Sequence, residues 1–165
     1  MMKLTLITIF ISLLFNNNID RSGNQDTNDS LFLQELGKII YTTGTSPFDR
    51  KIKATVSGDV IMASTMACIK CHGETGREHT DDSGIEIPDI RWMTLGQQLD
   101  ESSQHGQKKD DLIRKAITKT ISLGVGLDGQ VLHAMMPRYM FTQDEMKCLI
   151  AYLEILGKPQ VEGSN

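Results

Sequence analysis

Two cysteines and a histidine at fixed spacing are the residues of this 165-residue chain best suited to chemistry. They lie in the run Cys68-Ile69-Lys70-Cys71-His72, which reads C-x-x-C-H. Two thiols at this spacing on one helical turn can add to the two vinyl groups of a porphyrin, and C-x-x-C-H is the attachment sequence for a c-type haem. The histidine that follows can offer an imidazole nitrogen to the iron. The run therefore predicts one haem c, attached through Cys68 and Cys71 and ligated by His72.

Other uses of a cysteine pair fit the chain less well. A zinc site needs four ligands, usually from a second Cys or His pair, but the remaining cysteine, Cys148, stands alone in an apolar run. A thioredoxin-like redox pair belongs to a βαβ pattern, which this sequence does not show. A colourless metal-binding or thiol protein is the alternative to haem attachment.

The sixth iron ligand must come from elsewhere in the chain, or the position stays open. The candidates are Met135, Met136, Met140 and His133. We favour Met136, because the following Pro137 stiffens the loop and removes a backbone donor; a shift of register to Met135 remains open. A methionine thioether raises the potential of the iron and leaves no position for a substrate. The expected metal ligands are therefore His72 and Met136, and we do not expect an enzyme.

The first residues are typical of a targeting segment. Met1-Met2-Lys3 is a short positive start, and an apolar run follows from Leu4 to Phe15. This run is too short for a comfortable transmembrane helix but suits the core of a signal peptide. Residues 1–19 are thus interpreted as a signal peptide, with an uncleaved membrane anchor as the alternative, because Asn16-Asn17-Asn18 makes a poor cleavage site. We expect a periplasmic or otherwise extracytoplasmic (secreted) protein, since haem is attached on the outer side of the membrane.

Periodicity predicts the elements that position the motif. Residues 20–30, rich in Asn, Asp and Ser, predict a disordered linker, and a helix then begins with Asp29 or Ser30 as its N-cap. Apolar spacing gives that helix one buried face, made of Leu33, Leu36, Gly37, Ile40 and Tyr41. Gly37 costs a helix about 1 kcal/mol relative to Ala, which close approach of another backbone would explain. In residues 52–62, apolar and polar side chains alternate before the turn residues Ser57-Gly58-Asp59 and an apolar run follows them, which suggests a small hairpin. Residues 73–101 predict a loop.

Two more helices follow in the second half of the chain. One begins at Asp110 or Asp111 and ends at Gly124, with a buried face made of Leu112, Ile113, Ala116, Ile117 and Ile121. The last helix opens with a capping box formed by Thr142 and Glu145. Its apolar stripe consists of Met146, Leu149, Ile150, Leu153 and Leu156.

Taken together, these residues resemble the class I monohaem c-type cytochromes, in a branch with inserts around the haem motif. The resemblance is carried by the helix with Gly37 and Tyr41, the C-x-x-C-H run, Met136-Pro137-Arg138-Tyr139 and Leu149-Ile150-Ala151-Tyr152-Leu153. It implies a mainly α cytochrome c fold, with three to five helices around one haem and a possible small hairpin before the motif. The cytochrome c domain would span residues 31–157, with residues 158–165 as a tail.

The resemblance also implies roles for particular residues. Cys68 and Cys71 would be the thioether sites, His72 the proximal ligand and Met136 the distal ligand. Pro88 would offer its carbonyl to the other nitrogen of His72. The N-terminal helix would cross the C-terminal helix nearly at right angles, bringing Gly37 and Tyr41 against Leu149 and Tyr152.

The function expected from this reading is electron transfer between extracytoplasmic redox partner proteins, with the iron cycling between Fe(III) and Fe(II). A net charge of −4 argues against a nucleic-acid partner and suits a partner with a basic docking face. Two alternatives stay open: a haem-based sensor or ligand-binding module with an open sixth position, and a cytochrome subunit of a larger dehydrogenase or oxidase.

Overall fold

A computed structural model of the chain describes residues 22–99 and 109–158. The predicted signal peptide, residues 1–19, lies outside the described residues, as do His105 and all but the first residue of the predicted tail. Residues from Leu31 onward belong to one compact unit, and the packing reported below lies within it. No helix among the described residues is long and apolar enough to cross a membrane.

Five α-helices account for most of the regular structure in the described residues. They are α1 (Ser22–Thr43), α2 (Ile69–His72), α3 (Trp92–Gln98), α4 (Lys109–Leu123) and α5 (Gln143–Leu153). The strands are short: β1 (Lys53–Val56), β2 (Asp59–Met62), β3 (His79–Thr80), β4 (Glu86–Ile87) and β5 (Arg138–Tyr139). The mainly α fold class predicted from the sequence is confirmed.

Helix α1 begins earlier than the sequence predicted. The expected N-cap at Asp29 or Ser30 was wrong, and the segment interpreted as a linker is helical from Ser22 onward. Asn, Asp and Ser each cost a helix interior less than about 1 kcal/mol. A helix nucleated by its buried face can therefore extend through such residues at little cost.

The predicted hairpin before the motif is confirmed. Strands β1 and β2 pair antiparallel with Lys53 opposite Met62 and Val56 opposite Asp59. The connecting residues Ser57 and Gly58 both have positive φ, 51° and 95°, as a two-residue turn of this kind requires. The other edge of β1 pairs with β5, so the strand order is β2-β1-β5.

The loop predicted over residues 73–101 is only partly correct. It contains the β3–β4 pair and also helix α3, which the sequence reading missed. The helix is only seven residues long and has no side-chain cap. Its buried residues are Leu95 and Gly96, so its apolar signal is confined to one turn.

The close approach expected at Gly37 is confirmed. A Cβ at this position would lie 2.0 Å from the carbonyl oxygen of Cys148 and 2.8 Å from the Cβ of Tyr152. Four residues further along α1, the ring of Tyr41 packs on that of Tyr152, with centroids 5.2 Å apart and planes tilted by 53°. Helices α1 and α5 therefore meet backbone to backbone at a point where only glycine fits.

Helix α5 follows its predicted pattern, and α4 does so in part. Helix α4 begins at Lys109, one residue before the predicted start, and Ile113, Ile117 and Ile121 of its predicted face are buried. Leu112 and Ala116 are only half-buried. At the start of α5, the Thr142 hydroxyl accepts from the Glu145 amide (3.2 Å), and the Glu145 carboxylate accepts from the Thr142 amide (2.8 Å). The capping box is thus formed as predicted. Helices α1, α4 and α5 and the three-stranded sheet all contribute residues to the core.

Candidate functional site

The C-x-x-C-H run forms a single helical turn. Cys68 is the N-cap of α2 and has helical dihedral angles. Its carbonyl accepts hydrogen bonds from the amides of Cys71 (3.2 Å) and His72 (2.9 Å). Both thiols are half-buried and free. The two sulfur atoms and the imidazole predicted to hold one haem therefore come from one short, regular turn.

His72 at the end of this turn is buried, with 7% of its surface exposed. Burial lowers the pKa of the imidazole, and the backbone carbonyl of Pro88 opposes this only in part. The ring is therefore neutral at pH 7, as a metal-ligating histidine must be. Pro88 lies beside the ring as the resemblance implied, although Nδ1 has no hydrogen-bond partner within the part of the chain that the structure describes.

Cys68 lies in an apolar environment next to Tyr139. Burial raises the pKa of its thiol to about 12. Cys68 is therefore protonated at neutral pH.

Two buried tyrosines hold the ends of the segment that carries the motif. The Tyr41 hydroxyl, from α1, donates to the carbonyl of Gly73 at 2.7 Å. The Tyr139 hydroxyl, from β5, donates to the carbonyl of Met66. Buried tyrosine hydroxyls need such partners, but spacing in the sequence does not say which carbonyls supply them. The sequence reading therefore missed this role of both tyrosines.

Among the candidate distal ligands, Met136 alone packs against the core. Its side chain is half-buried and contacts the same core cluster as Cys68 and Ile69. Met135 and Met140 are 48% and 47% exposed, and His133 is exposed as well. The neighbouring Pro137 is buried. Met136 and Met135 therefore differ in packing: Met136 lies against the core, whereas Met135 is exposed to solvent.

Other potential ligands do not assemble into a second site. Within residues 22–99 and 109–158, no three His, Cys, Asp or Glu side chains lie together as a metal site would require. Cys148 is 1% exposed on α5, and burial raises the pKa of its thiol. His79 is exposed. Cys148 is thus a packing residue at the helix crossing.

The donor set fits a covalently attached haem. Two free thiols and a buried neutral imidazole share one turn, and a half-buried methionine borders the same core. A mainly α fold with one such turn is typical of haem-binding electron-transfer proteins.

A family model described as Cytochrome c matches residues 57–157, more than half of the chain. The protein belongs to the cytochrome c family, which confirms the resemblance noted from the sequence. Family membership implies haem c and electron exchange with redox partner proteins. Comparisons with curated proteins and with solved structures found no significant match.

Proposed function

We propose that the protein is an extracytoplasmic electron carrier with one haem c, attached through Cys68 and Cys71 and ligated axially by His72 and Met136. The bound haem supplies one-electron chemistry between Fe(III) and Fe(II). The observation that carries the proposal is the turn of α2, which presents two free thiols and a buried, neutral imidazole together.

The chain's own residues support this role by holding the ligand groups in place. Tyr41 and Tyr139 anchor both ends of the attachment segment to α1 and β5. Packing of Met136 on the core supports it as the distal ligand, in preference to the more exposed Met135. A fixed thioether closes the sixth position to substrates and gases, so we propose a carrier and not an enzyme or a sensor.

Partner docking is proposed to depend on charge. The chain carries a net charge of −4, and electrostatic steering by opposite charge raises association rates in a salt-dependent manner. Donor and acceptor proteins with basic faces would fit this surface. Export of the protein, with residues 1–19 as the signal peptide, is part of the proposal and can be checked by N-terminal sequencing of the protein recovered from the extracytoplasmic fraction.

The visible spectrum of the holoprotein tests the ligand assignment. The protein is expressed with haem-maturation machinery, and spectra are recorded for the wild type, Met136→Ala and the matched control Met135→Ala. We expect the weak far-red band of the oxidised protein that reports the Met–iron bond, its loss in Met136→Ala and its retention in Met135→Ala.

The opposite pattern would identify Met135 as the ligand. Absence of the band from the wild type, together with ready carbon monoxide binding by the reduced protein, would refute the carrier proposal. A sensor or ligand-binding module would then explain the open sixth position. A colourless product with unmodified Cys68 and Cys71 would refute haem attachment altogether.

A further inference from the structure

Arg138 binds the loop that carries Met136 by two main-chain contacts. One arm of its guanidinium, Nη1, donates to the carbonyl of Met136. The other arm, Nη2, donates to the carbonyl of Leu132 at 3.1 Å. The planar fork of arginine suits two acceptors held side by side, whereas lysine offers a single compact ammonium. Arg138 therefore links the two ends of the loop formed by residues 132–136.

The guanidinium is seated against the end of helix α4. Gly124 ends that helix with φ of +69°, and a Cβ there would lie 1.6 Å from Nε of Arg138. The carbonyl of Gly124 accepts from the amide of Leu132 at 2.8 Å. Gly124 is therefore hydrogen-bonded directly to the loop that carries Met136, and its lack of a side chain leaves room for the arginine.

Strand β5 gives Arg138 a rigid base. Its backbone pairs with β1, with Arg138 opposite Thr55 and Tyr139 opposite Ala54. Side chains alternate along a strand, so Arg138 reaches toward the methionine loop while Tyr139 reaches toward the attachment segment. The same two residues thus contact both segments from which the axial ligands are proposed to come.

We propose that Arg138 is a positioning residue that holds the 132–136 loop so that the Met136 sulfur stays on the iron. The inference rests on the proposed His72 and Met136 ligation. Loss of the fork frees the loop, and an external ligand then displaces the methionine more easily. Charge alone is not sufficient, because the contact depends on two donors of fixed geometry.

Imidazole binding to the oxidised holoprotein measures this directly, because imidazole must displace the methionine. The variants are Arg138→Gln, which removes the fork and the charge, and Arg138→Lys, which keeps the charge. Arg114→Gln is the matched control, since Arg114 pairs with Glu154 away from the methionine loop. Unfolding by urea, recorded for all four proteins, separates a local effect from a loss of global stability.

We expect both Arg138 variants to bind imidazole at least about tenfold more tightly than the wild type, a change of about 1.4 kcal/mol. On heating, the Met–iron band of both variants should also disappear at a lower temperature than that of the wild type. The control should match the wild type in both respects, even if urea unfolds it more easily.

Wild-type imidazole affinity in Arg138→Lys would overturn the inference, because charge would then suffice without the fork. Equal affinity in all four proteins would overturn it too, as would failure of both Arg138 variants to fold, which would indicate a purely structural role. These results differ from failure of the proposed function, in which the wild type itself lacks the Met–iron band and the inference falls with it.

Discussion

Replacing Gly37 by alanine tests the crossing of α1 and α5 on which the enclosure of the motif depends. In an isolated helix this change stabilises by about 1 kcal/mol. In this protein the new methyl group would lie 2.0 Å from the carbonyl oxygen and 2.6 Å from the carbonyl carbon of Cys148. Ordinary contact begins near 3.4 Å. Because the obstructing atoms are backbone, the helices must separate by more than ~1 Å, in a core that is packed like an organic crystal.

The expected cost follows from what such a separation disrupts. Overpacking a core costs about 1–3 kcal/mol, and a backbone obstruction belongs at the upper end of that range. Tilting apart the Tyr41–Tyr152 pair forfeits about a further 0.5–1.5 kcal/mol. After the helix-propensity gain of about 1 kcal/mol is subtracted, Gly37→Ala should lower the free energy of unfolding by about 2.5–3.5 kcal/mol.

Urea unfolding of the holoprotein measures the difference, with Gly96→Ala as the matched control. Gly96 is also a buried helical glycine, but the nearest atoms that a Cβ there would meet among the described residues are the side-chain ends of Ile113 at 3.2 Å and Lys109 at 3.3 Å. These flexible groups can shift, so Gly96→Ala should change stability by less than about 1 kcal/mol in either direction. A Gly37→Ala protein as stable as the wild type, or less perturbed than Gly96→Ala, would show that the helices do not meet as described.

Two further perturbations address the anchoring of the motif and the pH dependence of stability. Tyr139→Phe removes the donor to the Met66 carbonyl but keeps the ring that stacks on Phe141 with centroids 5.1 Å apart. The free energy of unfolding should therefore fall by about 1–3 kcal/mol. An unchanged urea midpoint would show that this hydrogen bond does not stabilise the fold. Burial tends to raise the pKa of the Glu145 carboxyl, but the hydrogen bonds it accepts and the Arg50 charge outweigh burial and leave it below its usual value of 4.5. A depressed carboxyl pKa stabilises the fold above that usual value, and the contribution is lost as the pH falls through the folded-state pKa. Glu145→Gln should therefore flatten the decline of stability as the pH falls below about 4.5, and a wild-type slope in this variant would refute the assignment.

The chemistry of the attachment turn could be predicted from the sequence because all of its groups are local. Cys68, Cys71 and His72 fall on one helical turn by spacing alone, and no distant contact is needed to bring them together. The capping box and the hairpin were predictable for the same reason, since hydrogen bonds between near neighbours in the chain determine both. Close packing at Gly37 could also be predicted, because a glycine inside a helix lowers stability and a close contact with another backbone can offset that cost.

What the sequence left undetermined depends on partners distant in the chain. Nothing in the spacing of residues says that the Cys148 carbonyl is what approaches Gly37. The sequence did not show that Met136 packs on the core while Met135 is exposed, which is the observation that favours Met136 in the proposal. The predicted start of α1 was wrong and α3 was missed, because short stretches change from coil to helix for a few tenths of a kcal/mol per residue.

The features that the sequence predicted differ from those that it left undetermined for a physical reason. The sequence alone predicted Cys68, Cys71 and His72 as the residues proposed to bind the haem, since covalent spacing and helical periodicity fix their relations within a few residues. Only the tertiary structure decided what holds these residues in place: the hydroxyls of Tyr41 and Tyr139 on the attachment segment, and the Arg138 fork over Gly124. Such contacts join groups that are brought together by burial of apolar surface, which is non-directional and does not reveal from composition or pattern which polar groups will meet.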